Sequence, residues 1–244
     1  MNSGCALLDI KPPMRKEQGR KGDIMDTELV LWIGRGSLCV SVVTATTFGL
    51  LRLGALDEEW SLRLDVGGRR IVCALCLVSA LCIMLVGAES VWEEVLLGVL
   101  GGCLLTASIM DWWEQLVYRF IWWIGGVTGG VLLVRAGMSQ QIICSIIGFW
   151  LLQRLLFARM YGRADCYAFC VSALAMAALG GGFADYVTHM FLVFVGLTAV
   201  QMAHGNISKD GNLKKAVPLV PYITIAFWLW VAFGLGKWYI IGSM

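Results

Sequence analysis

Residues 161–165 read Tyr161-Gly162-Arg163-Ala164-Asp165, and they open directly into 166–184, nineteen residues without a single charge. A small, glycine-containing turn thus carries a carboxylate to the edge of an apolar run. A second carboxylate, Asp111, stands at the far end of another uncharged run, 95–110. An α-helix needs about 20 mostly apolar residues to cross the hydrocarbon of a bilayer, so both runs read as membrane helices with an acid at one edge.

The composition agrees. Of 244 residues, 59% are hydrophobic and 15% charged, and mean hydropathy is +0.76. A water-soluble chain of this size has no core large enough to hide so much apolar surface. A net charge of +2 points to no nucleic-acid partner. The nine cysteines lie mostly within apolar runs, where cysteine behaves as a small hydrophobe, and their spacing suggests no disulfide framework.

Working outward along the chain, residues 1–28 are polar and basic and read as a disordered segment, with Met25 as an alternative start. Eight apolar spans follow, at about 29–51, 71–88, 93–111, 118–135, 140–157, 165–184, 186–204 and 217–240. The chain is therefore expected to be an all-α, polytopic integral membrane bundle of about eight transmembrane helices, since only helices satisfy their own backbone in lipid. Residues 29–92 would form two N-terminal spans joined by a short loop, and 93–244 a six-helix core. Arginines and lysines concentrate in loops 52–70, 158–164 and 205–216, which alternate onto one face, the cytoplasmic face by the positive-inside rule. Starting at Met25 would remove the conflict between that orientation and the basic residues at 15–21.

In this topology Asp111 closes the third span and Asp165 opens the sixth, at the same face. Gly98, Gly101 and Gly102 on one span, and Ala173, Ala175, Ala177 and Ala178 on the other, would let the two helices approach closely. Two carboxylates at contact distance share a proton. The ionised one then takes a proton from water while its partner donates one to a carbonyl oxygen, which is peptide hydrolysis without a metal or a covalent intermediate. A helix-capping role for Asp165 is the plainer alternative. Capping explains Asp111 less well, because the helix macrodipole disfavours an acid at a C-terminus.

At these residues the sequence resembles the type IV prepilin peptidase family, the Gly-x-Gly-Asp membrane aspartyl peptidases, over about residues 93–230. Asp111 in Ser108-Ile109-Met110-Asp111-Trp112 matches the first aspartate. Asp165 in Gly162-Arg163-Ala164-Asp165 matches the second, with Ala164 in place of the second glycine. Val217-Pro218-Leu219-Val220-Pro221-Tyr222 matches the family's late proline-containing segment. The resemblance implies an aspartic endopeptidase of a bacterial plasma membrane, with Asp111 and Asp165 catalytic and Gly162, Ala164, Pro218 and Pro221 shaping the site. It implies prepilin or pseudopilin-like substrates and no cofactor. The family's paired Cys-x-x-Cys loop is missing: Cys73 and Cys76 form one such pair inside the second span, too few ligands for zinc.

Two other classes fit the same residues. One is an inactive scaffold of the same fold. The other is a proton-coupled transporter, which would usually show internal repeats; none is evident. His189 and His204 read as interfacial residues, Trp112, Trp113, Trp122 and Trp123 as an aromatic belt, Arg163 as a positive-inside charge and Glu114 as solvated.

Overall fold

In a computed structural model of the protein, the described residues are 17–54, 66–86, 90–206 and 217–233, with side chains from Leu29 onward. All regular structure among them is helical: α1 (Glu17–Gly54), α2 (Val66–Val86), α3 (Val91–Glu114), α4 (Arg119–Ala136), α5 (Gln140–Leu155), α6 (Arg163–Ala178), α7 (Phe183–Ala203) and α8 (Val220–Ala232), with a short 3-10 turn, Phe157–Arg159, after α5. Five stretches are long and apolar enough to cross a membrane: Leu29–Gly54, Val66–Val86, Val91–Glu114, Gln140–Arg159 and Phe183–Ala203. The protein is an all-α helical bundle of multi-pass membrane type. Eight helices stand where eight spans were expected, but α4, α6 and α8 are shorter or less apolar than the other five.

Met1–Arg35 and Gly36–Met244 form two compact units. The first contains the start of α1, which begins at Glu17, inside the segment expected to be disordered. Once a helix exists, extending it needs no new nucleus, and Glu17, Gln18, Arg20 and Lys21 are good helix formers.

In the second unit α3 is the central helix. It is buried without a break from Leu100 through Asp111. Its glycines explain the close packing, although they do not face α6 as expected. A Cβ at Gly98 would lie 2.8 Å from Val42 and one at Gly102 2.6 Å from Thr46, both on α1; one at Gly101 would lie 2.8 Å from the Trp228 ring on α8. The glycines that admit α6 are on α4: a Cβ at Gly125 would lie 3.2 Å from Val171, and one at Gly129 3.0 Å from Leu174. The pairings Val42–Gly98 and Thr46–Gly102 make α1 parallel to α3. Gly36 against Met84 makes α2 antiparallel to α1. Arg52, Arg69 and Arg70 are thereby gathered at the end of the bundle where α3 finishes, as the loop charges led one to expect. Lys209, Lys214 and Lys215 lie outside the described residues.

Two helix ends differ from expectation. α3 runs one turn past Asp111, to Glu114, and stops at Gln115 in the left-handed conformation (φ 54°). α6 stops at Ala178, short of 184, because Gly180 (φ 88°) turns the chain and the Gly181 N–H bonds back to the Met176 carbonyl at 2.7 Å. Trp112, Trp113 and Trp123 are exposed, but Trp122 is buried in the bundle and is no part of a belt. Its place on α4, one turn before Gly125, puts it on the packed side of that helix.

Gly102→Leu is expected to destabilise the bundle by about 1–3 kcal/mol through overpacking against α1. Gly126→Ala, at a position with open space, should be neutral or stabilise by up to about 1 kcal/mol. Thermal unfolding in detergent distinguishes them, and equal midpoints for the two variants would refute this packing.

Candidate functional site

The depth of each aspartate follows from the glycine contacts. Gly125 of α4 touches Cys103 of α3 and Val171 of α6, and Gly129 touches Leu100 and Leu174. Moving along α4 therefore descends α3 and ascends α6, so α4 and α6 are parallel and α3 is antiparallel to both. Asp111 lies eight residues beyond Cys103 and Asp165 six before Val171, which is about 12 Å and about 9 Å toward the same end at 1.5 Å per residue. The carboxylates sit at nearly one depth. α3 and α6 are in contact, and the two acids are within Coulombic range of each other.

Each carboxylate holds the N-terminus of a helix. Asp111, buried to 8% exposure, accepts the Val220 backbone N–H at 3.0 Å, with the Leu219 amide also directed at it. These are the first amides of α8, whose N-cap residue, Leu219, has no side chain to satisfy them. Asp165, partly buried as the third residue of α6, accepts the Gly162 N–H at 2.9 Å. Both helices begin at this end, so two positive macrodipole ends converge on two acids. Among the described residues neither aspartate forms an ion pair with a cation.

The expected site-shaping residues fall around these bonds. Pro221 is in the first turn of α8, where its missing N–H costs nothing. Pro218 lies just before, half-buried. Gly162 has φ −61° and ψ 159°, open to any residue. What glycine provides there is room: a Cβ would lie 3.1 Å from the Asp165 carboxylate oxygen. Ala164 is inside α6, and Gln115 is the only non-glycine residue with positive φ among those described. Alanine in the place of the family's second glycine is therefore unstrained.

Other groups support the site without being evident in the sequence. The Ser108 and Thr224 hydroxyl oxygens lie 2.7 Å apart, joining α3 to α8 one turn deeper than Asp111, and Ser108 donates to the Leu104 carbonyl at 2.8 Å. Tyr161 donates to Gln153 of α5 and packs on Phe157, Phe169 and Phe194, which anchors the turn carrying Asp165. Burial pushes the Tyr161 phenol well above its usual range, so this donor keeps its proton. His189 is not interfacial as expected: it is buried, and its Nε2 lies 3.0 Å from the Ile223 carbonyl, linking α7 to α8. His204 is exposed at the end of α7. The one legible signal for these contacts was the start of α8, a helix with no capping side chain of its own.

The structure also repeats the motif. Gly182-Phe183-Ala184-Asp185 begins α7 at the opposite end of the bundle, and the Gly182 N–H donates to Asp185 at 2.8 Å. The Gly-x-Ala-Asp turn is thus a general capping device here. The copy at Asp165 has a second carboxylate, Asp111, within Coulombic range. Comparisons with protein-family models, with curated proteins and with solved structures find no match in any of the three.

Ala164→Gly is expected to leave any activity of the site unchanged and to lower stability by at most about 1 kcal/mol, the helix cost of glycine. Gly162→Ala should displace the Asp165 carboxylate while the fold persists. Activity assays with thermal unfolding test both, and a gain in activity from Ala164→Gly would contradict the helical assignment of that residue.

Proposed function

We propose that the protein is a membrane aspartic endopeptidase that removes the basic leaders of prepilin or pseudopilin-like substrates at the cytoplasmic face of a bacterial plasma membrane. The observation that carries this reading is that Asp111 and Asp165, 54 residues apart in the chain, lie at nearly one depth and within Coulombic range of each other, with no cation paired to either among the described residues. The resemblance in the sequence supports it, and so does the gathering of arginines at this end.

The chemistry follows from the pair. Two facing acids hold one proton between them. A water activated by the ionised member attacks the scissile carbonyl carbon, and that member takes the water's proton. The other member protonates the carbonyl oxygen, forming a tetrahedral diol. Collapse of the diol breaks the C–N bond as the leaving nitrogen takes up a proton, and the pair returns to its starting state. The amides of Val220 and Gly162 hold the carboxylates in place during this exchange, a form of preorganisation. A substrate with an apolar stem in the bilayer and a basic leader outside it would present its junction at this depth.

The same two amide bonds favour a second reading, in which the acids only cap helices in a scaffold. Asparagine separates the two, because its side-chain oxygen still accepts an N–H. Asp111→Asn and Asp165→Asn should each lower cleavage of a leader-bearing substrate in membranes by about 100-fold or more, with insertion and unfolding midpoint retained. Asp185→Asn, at the repeated motif, should cleave normally. Asp111→Ala should also lose about 1 kcal/mol of stability with the cap of α8. Full cleavage by either asparagine variant would end the peptidase reading.

A further inference from the structure

Beside the turn that carries Asp165, α5 and α6 flank a shallow groove open to the surroundings. Six of its lining residues fall into a pattern: Trp150 and Arg154 from α5, and Arg163, Cys166, Tyr167 and Cys170 from α6. Arg154 is in the last turn of α5 and Arg163 is the first residue of α6, so both guanidinium groups stand at the same end of the bundle. Among the described residues neither is in an ion pair, and both are exposed.

Each helix repeats one arrangement. Trp150 lies four residues before Arg154 and Tyr167 four after Arg163, so each aromatic side chain is on the same helix face as its arginine, one turn deeper. Below the rim the wall of α6 is Cys166 and Cys170, again four residues apart, small and weakly polar. The surroundings are apolar and outward-facing: Trp150, Leu151 and Leu155 are exposed on α5, and Tyr167 on α6. Two cations at a rim, an aromatic girdle beneath them and an exposed apolar surface below match an amphiphile with an anionic head better than a soluble ion. Guanidinium groups recognise phosphate through bidentate, charge-assisted hydrogen bonds, and basic pockets between membrane helices suit lipid head groups.

We propose that the α5–α6 cleft binds an anionic phospholipid, its phosphate held by Arg154 and Arg163 and an acyl chain lying over Cys166 and Cys170. The site is separate from the aspartate pair and does not depend on the peptidase reading. Its place is defined by helix geometry: residues 163 and 165 are about 200° apart around α6 at 100° per residue, so the arginine and the aspartate face different surroundings from one turn.

The test uses the full chain in neutral detergent, titrated with phosphatidylglycerol or phosphatidylcholine and followed by native mass spectrometry. Phosphatidylglycerol should bind at least about tenfold more tightly. That preference should be lost in the Arg154→Gln/Arg163→Gln variant, kept in Arg119→Gln at the same end of the bundle, and only partly kept when both arginines become lysine. Equal retention of the two lipids would overturn the proposal. So would an equal loss in Arg119→Gln, which would mean diffuse surface charge, or displacement of phosphatidylglycerol by inorganic phosphate at equal concentration, which would make free phosphate the ligand. A photoactivatable phosphatidylglycerol adds a readout on the unmutated protein: labelling should fall within residues 150–170, and labelling confined to other segments would refute the site.

Discussion

The hydrogen bond from the Val220 N–H to Asp111 is the contact on which this end of the bundle depends. It joins residues 109 positions apart in the chain and solves two problems together. A helix that starts inside a membrane protein has unsatisfied amides, and water is not there to take them. A carboxylate near the C-terminus of another helix meets the negative end of that helix's macrodipole. Placing the acid of α3 against the amides of α8 offsets each cost with the other. The Ser108–Thr224 contact one turn deeper then fixes the rotation of the two helices. Asp111 is therefore positioned by a structural bond whether or not it reacts, and a reacting group held in this way needs little reorganisation.

Much of the architecture was legible because hydropathy and charge act over whole segments. A run such as 95–110 can be satisfied in only one way in lipid, and Arg52, Arg69, Arg70, Arg159 and Arg163 sort to one end of the bundle. Which helices touch was not legible. Gly98, Gly101 and Gly102 announce that something approaches α3 closely, but a missing side chain carries no information about its neighbour. The neighbours are α1 and α8. On α4 the sequence Gly125-Gly126-Val127-Thr128-Gly129-Gly130 contains two glycine stripes of the same spacing. Only Gly125 and Gly129 are packed against; Gly126 and Gly130 face open space. His189 and Trp122 were misjudged for a related reason: each falls within two turns of a helix end, where an interfacial and a buried position differ only by rotation about the helix.

The aspartates illustrate the difference between a motif and a site. Gly162-Arg163-Ala164-Asp165 and Gly182-Phe183-Ala184-Asp185 fold into the same turn, with the same amide on the same oxygen. Read locally, they are equivalent. What separates them is the neighbour across the bundle. Asp165 lies within Coulombic range of Asp111, whereas Asp185 lies 3.4 Å from the indole nitrogen of Trp230, a donor with no proton to exchange in this range. The tight turn follows from local rules, and the chemistry follows from tertiary placement. Ala164 falls on the local side of that division, since a residue in the first turn of a helix has no need of glycine's freedom.

One consequence concerns how the turn before α6 is held. On its inner side Tyr161 is fixed by Gln153 and three aromatic rings, and Asp165 is bonded to its own helix start. On its outer side Arg163 faces the cleft shared with α5. Residues 160–165 therefore connect two environments, the carboxylate bonded to its own helix start and the exposed guanidinium beside α5. Residues 163 and 165 are about 200° apart around α6, so one short turn carries a guanidinium and a carboxylate into separate surroundings without bringing the two charges together.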